Sequence, residues 1–409
     1  MKQTEGTIEV RSLAEATSLL RSVVPSSPSI PYFGYVLFLP VPEDHEEGFH
    51  LSVTDGVQHM QCFVSCTFSL PYSFALPARS FFSLVQELHQ SQYSHVRLCI
   101  EGKNCTLSAQ TSVFHLCGIA DEIPPFPSIT PQHQWNVSAL LLQRTCIKTV
   151  YALSKDHMQR TLASLLISVS DHGITCVGSD ARRLASAFMP METQVHEELS
   201  YLIPLRSISE IIRFLERHKN DPCIFQVSQD RCALVSGCDH YSTQLLQGTY
   251  PDYRSILPQE TEESKSVLCH RETWLQIMRQ ISLFSENGVI CTFKDQELVV
   301  QAEQNNIGSG DVRMAIDYDG SPISIGLHTR YVIEALKQFQ GETARLLIQD
   351  PQSPILLEDV EETTPDSIET HDQDPNGNTG STEKTTAEVI ESKALLMPMR
   401  IPNQPIPEA

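Results

Sequence analysis

The apolar residues of this chain recur three times in one pattern. FALPARSFFSLVQEL from Phe74, YLIPLRSISEIIRFL from Tyr201 and IGLHTRYVIEALKQF from Ile325 each open on a short apolar strand end. Each then passes an arginine at a helix start, Arg79, Arg206 and Arg330, and continues as a stripe. The stripes are Phe81, Leu84, Val85, Leu88; Ile208, Ile211, Ile212, Leu215; and Val332, Ala335, Leu336, Phe339. All follow i, i+3, i+4, i+7 at the same offset from the arginine, which puts four side chains on one helical face. The arginines stand roughly 125 residues apart, and self-similarity at a fixed period marks a repeat architecture.

The surroundings repeat as well. Each helix is followed by two strands joined by a turn, in VRLCIEGKNCTLSA, CIFQVSQDRCALVSG and ARLLIQDPQSPILLED. An earlier amphipathic helix precedes each, with Ala16, Leu19, Leu20 and Val23 in the first repeat and Trp274, Ile277, Met278 and Ile281 in the third. The middle one, around Leu142, Cys146 and Val150, is less regular. Each repeat reads as two helix-plus-strands units, and helices on one face of antiparallel strands make an α+β domain. Proline-rich and polar breaks set the domains at 1–130, 135–258 and 265–409. The last holds an acidic, polar insertion over 361–392, predicted to be disordered because it has almost nothing to bury. ALLMPMRI then predicts a final strand.

Composition narrows the function. A net charge of -21 argues against an ordinary nucleic-acid binder, which carries a basic balance. The 12 cysteines form no C-x-x-C pair, so they read as reduced, buried thiols and no metal site is expected. No basic-then-apolar N-terminal run and no apolar stretch of about 18 residues occurs, which predicts a cytoplasmic chain with no membrane role. P-loop, dinucleotide, zinc-protease and nucleophile-elbow motifs are absent, so neither catalysis nor a cofactor is expected.

VGSDARRLA (Val177 to Ala185), GTYPDYRSILP (Gly248 to Pro258), IGLHTRYVIEAL (Ile325 to Leu336), the terminal MPMRI and ADEIPPFP near Ala120 together resemble the bacterial DNA polymerase III beta subunit, the β sliding clamp family. The likeness runs over nearly the whole chain. It implies three similar domains with helices inside and antiparallel sheets outside, closing as a head-to-tail homodimer into a ring around duplex DNA. It implies a non-catalytic tether for DNA polymerase III, loaded by a clamp loader and shared with other proteins carrying clamp-binding motifs. A clamp-like scaffold or regulatory paralogue with a weakened DNA role is the alternative. The chain departs from the family in SDARRLA, where TDGHRLA is usual, in Ser255, and in Ser27, where an arginine is common.

The resemblance also assigns residues. A partner-peptide pocket would use Leu162, Ser179, Ala181, Arg182, Arg183, Leu184, Pro251, Ile256, Leu395, Met397, Pro398, Met399 and Arg400. Methionines suit such a surface because they adapt to varied apolar ligands; the competing reading is ordinary strand core. Arg79, Arg144, Lys148, Arg206, Arg213, Arg217, Lys219, Arg271, Arg279, Arg330 and Lys337 are candidates to line the DNA channel, against a reading as solvated helix faces. A ring needs only a weakly basic lining, since strong phosphate contacts would oppose sliding. The dimer seam would set Phe114 and Leu116 of one copy against Leu283 and Phe284 of the other.

Overall fold

The computed structural model describes residues 4–42, 47–119, 129–156, 158–261, 264–285, 288–304, 307–360 and 390–400. Its elements fall into three runs of identical order. The first is β1 (Thr4–Glu9), α1 (Val10–Leu20), β2 (Tyr35–Pro40), β3 (Gly48–Thr54), β4 (Gln58–Ser65), β5 (Phe74–Pro77), α2 (Ala78–Gln90), β6 (His95–Glu101), β7 (Asn104–Ala109) and β8 (Ser112–Cys117). The second is β9 (His133–Ser138), α3 (Ala139–Val150), β10 (Ser164–Ser170), β11 (Gly173–Ser179), β12 (Arg183–Pro190), β13 (Leu199–Pro204), α4 (Leu205–Arg217), β14 (Pro222–Val227), β15 (Arg231–Ser236) and β16 (Asp239–Gln244). The third is β17 (Lys265–His270), α5 (Arg271–Ile281), β18 (Gly288–Lys294), β19 (Glu297–Gln304), β20 (Gly308–Ala315), β21 (Ile323–His328), α6 (Thr329–Gln338), β22 (Thr343–Ile348), β23 (Ile355–Val360) and β24 (Glu391–Leu396).

Every helix begins on the residue after a strand ends. Pro77 and Pro204 make two of these corners, holding extended backbone before α2 and α4. The predicted stripes are largely the buried faces. Phe81, Val85 and Leu88 of α2, Ile208, Ile211 and Leu215 of α4, and Val332, Ala335 and Leu336 of α6 are enclosed. Leu84 and Ile212 are only half-buried, and Phe82 and Phe214 take core positions instead. A helix on a sheet buries a face wider than four positions, and large rings reach the sheet from its flank. Phe38 of β2 stacks on Phe74 at 4.5 Å and meets Phe81 edge-on at 5.2 Å. Each such side chain contributes about 1.5–3 kcal/mol by burial.

The sheets do not respect the repeats. Two have four strands, ordered β1-β6-β7-β8 and β20-β19-β18-β21. Two have eight, ordered β5-β2-β3-β4-β16-β15-β14-β9 and β13-β10-β11-β12-β24-β23-β22-β17. In the first eight-stranded sheet, β4 of the first repeat pairs with β16 of the second. In the other, β12 of the second pairs with β24 of the third. By packing, the chain groups into two compact units, Met1–Gln143 with Leu202–Gln247 and Arg144–Tyr201 with Gly248–Ala409.

Two expectations for the C-terminal part are corrected. Residues 361–389 of the predicted insertion lie outside the described residues, but its end does not extend to 392, because β24 already starts at Glu391. The buried Ser392 hydroxyl is held there by Lys148 and Asp359. Nor is ALLMPMRI one strand: β24 ends at Leu396, and Pro398, having no N–H, cannot continue the ladder. The chain crosses instead to β21, where Met399 N donates to Gly326 O at 2.7 Å.

Candidate functional site

The β11–β12 turn, residues Ser179 to Arg183, is built by its own side chains. Asp180 Oδ1 accepts from the backbone N–H groups of Arg182 and Arg183, both at 3.0 Å. Ser179 Oγ accepts from Ala181 N at 3.2 Å and donates to Arg183 O at 2.8 Å. The turn forces Ala181 to φ +67, a left-handed conformation that costs an L-residue about 1–2 kcal/mol. Ala181→Gly is expected to raise stability by up to about 1 kcal/mol, because glycine's larger chain entropy takes back part of the relief. A urea midpoint that falls on this substitution would show that the turn is not strained.

The terminal segment docks on this turn. Met397 N donates to Arg182 O at 3.0 Å. Met399 lies on β18: a Cβ at Gly288 would fall 2.8 Å from its sulfur. Met397 stays 42% exposed, and Pro398 and Arg400 are also solvent-accessible. Leu162 is half-buried, and its carbonyl shares the Ser154 N–H with that of Ser179. Pro251 and Ile256 are exposed on the loop after Gly248, whose Cβ position lies 3.4 Å from the Thr161 methyl. Leu184 and Leu395 face each other across the β12–β24 ladder and are buried. Hydrogen bonds and strand pairing thus bring Leu162, Leu184, Leu395 and Met397 to the Ser179–Arg183 turn, with Arg182 and Met397 exposed there.

Arg183 departs from the role expected of it. Its side chain is 5% exposed and fully engaged: Nε to Asp180 at 3.1 Å, Nη2 to Tyr151 O at 2.6 Å, and Nη1 to Glu334. It also stacks on Tyr331 at 4.3 Å. It braces the site from below and is no free anchor for a ligand. Burial pushes the Glu334 carboxyl up, but hydrogen bonds from Arg183 and Arg330 outweigh it, so Glu334 titrates below the ordinary 4.5. A lowered carboxyl contributes stability that is present above its unfolded value and lost as pH falls through its folded one. Wild-type stability is therefore expected to drop more steeply below about pH 4.5 than that of Glu334→Gln, and superimposable pH profiles from urea melts would refute this coupling.

The basic candidates sort by burial. Arg79, Arg144, Arg206, Arg213, Arg279, Arg330 and Lys337 are exposed on helices α2 to α6, and Lys219 is exposed just past α4. Several have local partners: Arg79 donates to Ser26 O, Arg213 lies 3.6 Å from Glu210, and Arg330 donates to Glu334 at 2.8 Å. Arg217 pairs with Asp239 at 3.3 Å, and Arg271 caps α6 through Leu336 O and Gly341 O. Lys148 is a correction: its side chain is 3% exposed and sits 2.9 Å from the fully buried Asp359. It faces the sheet side of α3 and cannot line a channel. Conversely, a groove of 1130 Å³ between α1, α2 and α4 carries Arg213 and Arg217 together with Arg11 and Arg21, which the sequence reading passed over. The signal was available, since Arg11, Glu15 and Ser18 follow i, i+4, i+7 opposite the α1 stripe.

Of the seam residues, Phe114 and Leu116 are half-buried on the edge strand β8. Leu283 is 71% exposed and Phe284 half-buried, on the 3-10 turn that follows α5. No cluster of metal-ligating side chains occurs among the described residues, and no helix is long and apolar enough to cross a membrane.

Known proteins carry the same plan. Residues 136–252 match the family model of the DNA polymerase III beta subunit central domain, and residues 254–370 that of its C-terminal domain, together more than half of the chain. The beta sliding clamp of Chlamydia muridarum is 26% identical over 356 residues, covering 86% of this chain and 94% of that one. A sliding clamp of Pseudomonas aeruginosa, solved bound to griselimycin, superposes with a TM-score of 0.84 at 19% identity, covering 98% of this chain and all of the other. The clamp of Bacillus subtilis gives 0.81 at 21% identity, with the same coverage. With the threefold element order, these matches place the chain in the DNA polymerase III beta subunit family, the beta sliding clamps.

Proposed function

We propose that two copies of this chain close head to tail into a ring around duplex DNA and tether DNA polymerase III and other clamp-binding proteins to it. It is a non-catalytic processivity factor. The observation that carries the ring is the sheet order. Within the chain, each passage from one repeat to the next runs through an eight-stranded sheet, by β4 with β16 and by β12 with β24. The corresponding strands at the two ends, β8 and β20, are edges. Open edges are pairing sites, and a head-to-tail contact that closes on itself would leave neither β8 nor β20 unpaired. Three repeats per chain, taken as domains 1–130, 135–258 and 265–409, give six around a two-copy ring.

In this reading the exposed arginines of α2 to α6 face the DNA as a weak, sliding contact. The turn around Arg182 with Met397, Pro398, Ile256 and Pro251 receives peptides, and a clamp loader opens the ring. Retention on circular DNA after loading, lost when the circle is linearised, tests the function; a scaffold without the DNA role would not be retained. Phe284→Asp would put a charge into an apolar seam and is expected to yield monomers by light scattering. A wild-type monomer would sink the ring.

A further inference from the structure

We infer that the joint between the first and second repeats is a second peptide site, held shut by Phe33 of the same chain. This rests on the peptide-site reading above and extends it from one joint to both. The two joints are built on the same turn. At β3–β4, Asp55 Oδ1 accepts from the backbone N–H groups of Val57 at 2.8 Å and Gln58 at 2.6 Å. Thr54 Oγ1 accepts from Gly56 N at 3.1 Å and donates to Gln58 O at 2.6 Å. These are the bonds that Asp180 and Ser179 make around Ala181. The middle residue is left-handed in both turns, Gly56 at φ +89 and Ala181 at φ +67.

The chain that docks on each turn corresponds too. Gln244 N donates to Val57 O at 3.2 Å, as Met397 N does to Arg182 O at 3.0 Å. Two residues on, Leu246 N donates to Leu202 O at 2.8 Å, as Met399 N does to Gly326 O at 2.7 Å. Leu202 and Gly326 each stand two residues before the end of their strands, β13 and β21. Leu245 therefore holds the place of Pro398. The strands leading into the turns fix one more position. Leu37 pairs with Ser52 and Leu166 with Val177, each partner two residues ahead of the hydroxyl that braces its turn. Four residues before these leucines stand Phe33 and Leu162. Phe33 thus occupies the place of Leu162, a wall of the proposed peptide site.

The joints differ in what fills the space over the turn. A Cβ on Gly56 would fall 2.8 Å from the Phe33 ring, so the ring lies against the left-handed residue. Phe33 is 6% exposed, with the Tyr32 ring 4.6 Å away. At the other joint Ala181 is exposed and Leu162 only half-buried. A large ring beside a glycine at one joint replaces a leucine beside a methyl at the other. Phe33 and Gly56 are a matched pair: Gly56→Ala would press on the ring and strain the backbone. An occupant in the same chain acts at a high effective concentration, so a free peptide does not displace it. Val57 stands where the other joint has the exposed Arg182, so the shut site takes a leucine or phenylalanine side chain of a short peptide and offers no cation to a carboxylate.

Titration calorimetry of the full-length protein with a short peptide carrying glutamine and leucine anchors counts the sites. The wild type should bind one peptide per chain. Phe33→Ala should bind two, the added one more weakly for want of the arginine. Phe33→Ala in a chain ended after Leu396 should bind one, at the opened joint alone. Phe33→Leu puts the residue of the open joint in place of the ring and keeps an apolar side chain in the core, so it folds where the alanine variant does not; it too should bind two. A variant with a cooperative urea melt that still binds one peptide per chain overturns the inference and leaves the peptide-site reading standing. A wild type that binds two shows that Phe33 shuts nothing and overturns it as well. A wild type that binds none overturns the peptide-site reading itself.

Discussion

Lys148→Met is expected to destabilise the protein by about 3–5 kcal/mol, the usual cost of leaving one charge of a buried pair uncompensated. The pair is enclosed on both sides, and Asp359 has no water to turn to. Its carboxylate gathers Lys148 at 2.9 Å, the Ser392 hydroxyl at 3.2 Å, and the backbone N–H groups of Gln340 and Gly341, both at 2.9 Å. It therefore fastens α3, β24 and the chain after α6 to the end of β23 at one point. Methionine keeps the volume and the packing of the lysine stem, so the loss isolates the charge. Adding Asp359→Leu should restore little, because the Gly341 N–H and the buried Ser392 hydroxyl would then lose their acceptor. Urea unfolding measures both. A Lys148→Met variant within about 1 kcal/mol of wild type would mean that solvent reaches Asp359.

Ending the chain after Leu396 is expected to abolish most binding of a short peptide with glutamine and leucine anchors, while the dimer survives. The cut removes Met397, whose N–H is tied to Arg182 O, and Met399, which bridges to Gly326 and lies on Gly288. β24 keeps its full pairing with β12 and β23, so the sheet is left whole. Losing an interface methionine and the arginine beside it typically costs about 2–4 kcal/mol. That is about thirtyfold to a thousandfold in affinity, readable by fluorescence polarisation. Unchanged affinity in a dimeric truncation would remove the peptide site from this face. Removing only 402–409 separates the tail from the wall: tighter binding would mean that the tail covers the site.

The proposed seam and the proposed peptide site were legible to different depths. Phe114, Leu116, Leu283 and Phe284 stand out as seam candidates only through the family resemblance, since their own spacing reads equally as core. That Gly308 and Gly310 lie beside the Phe284 ring could not be read, since a glycine in a polar strand gives no sign of what it packs against. Arg182 and Arg183 are adjacent in sequence and opposite in fate, one exposed at the turn and one consumed beneath it. Only the approach of Tyr151, Tyr331 and Glu334 from elsewhere in the chain separates them.

By itself the sequence determined the threefold repeat, the α+β class and the helical faces, because helical and strand periods are local properties that a run of ten residues displays. It also held the motifs that mark the family. The tertiary structure decided what depends on contacts between distant segments. It buried Lys148 against Asp359 rather than turning it to solvent, ended the last strand at Leu396, and merged strands of neighbouring repeats into eight-stranded sheets. It also left β8 and β20 as edges. Strand partners and the burial of a charge are settled by desolvation and pairing between distant segments, and no local period encodes them.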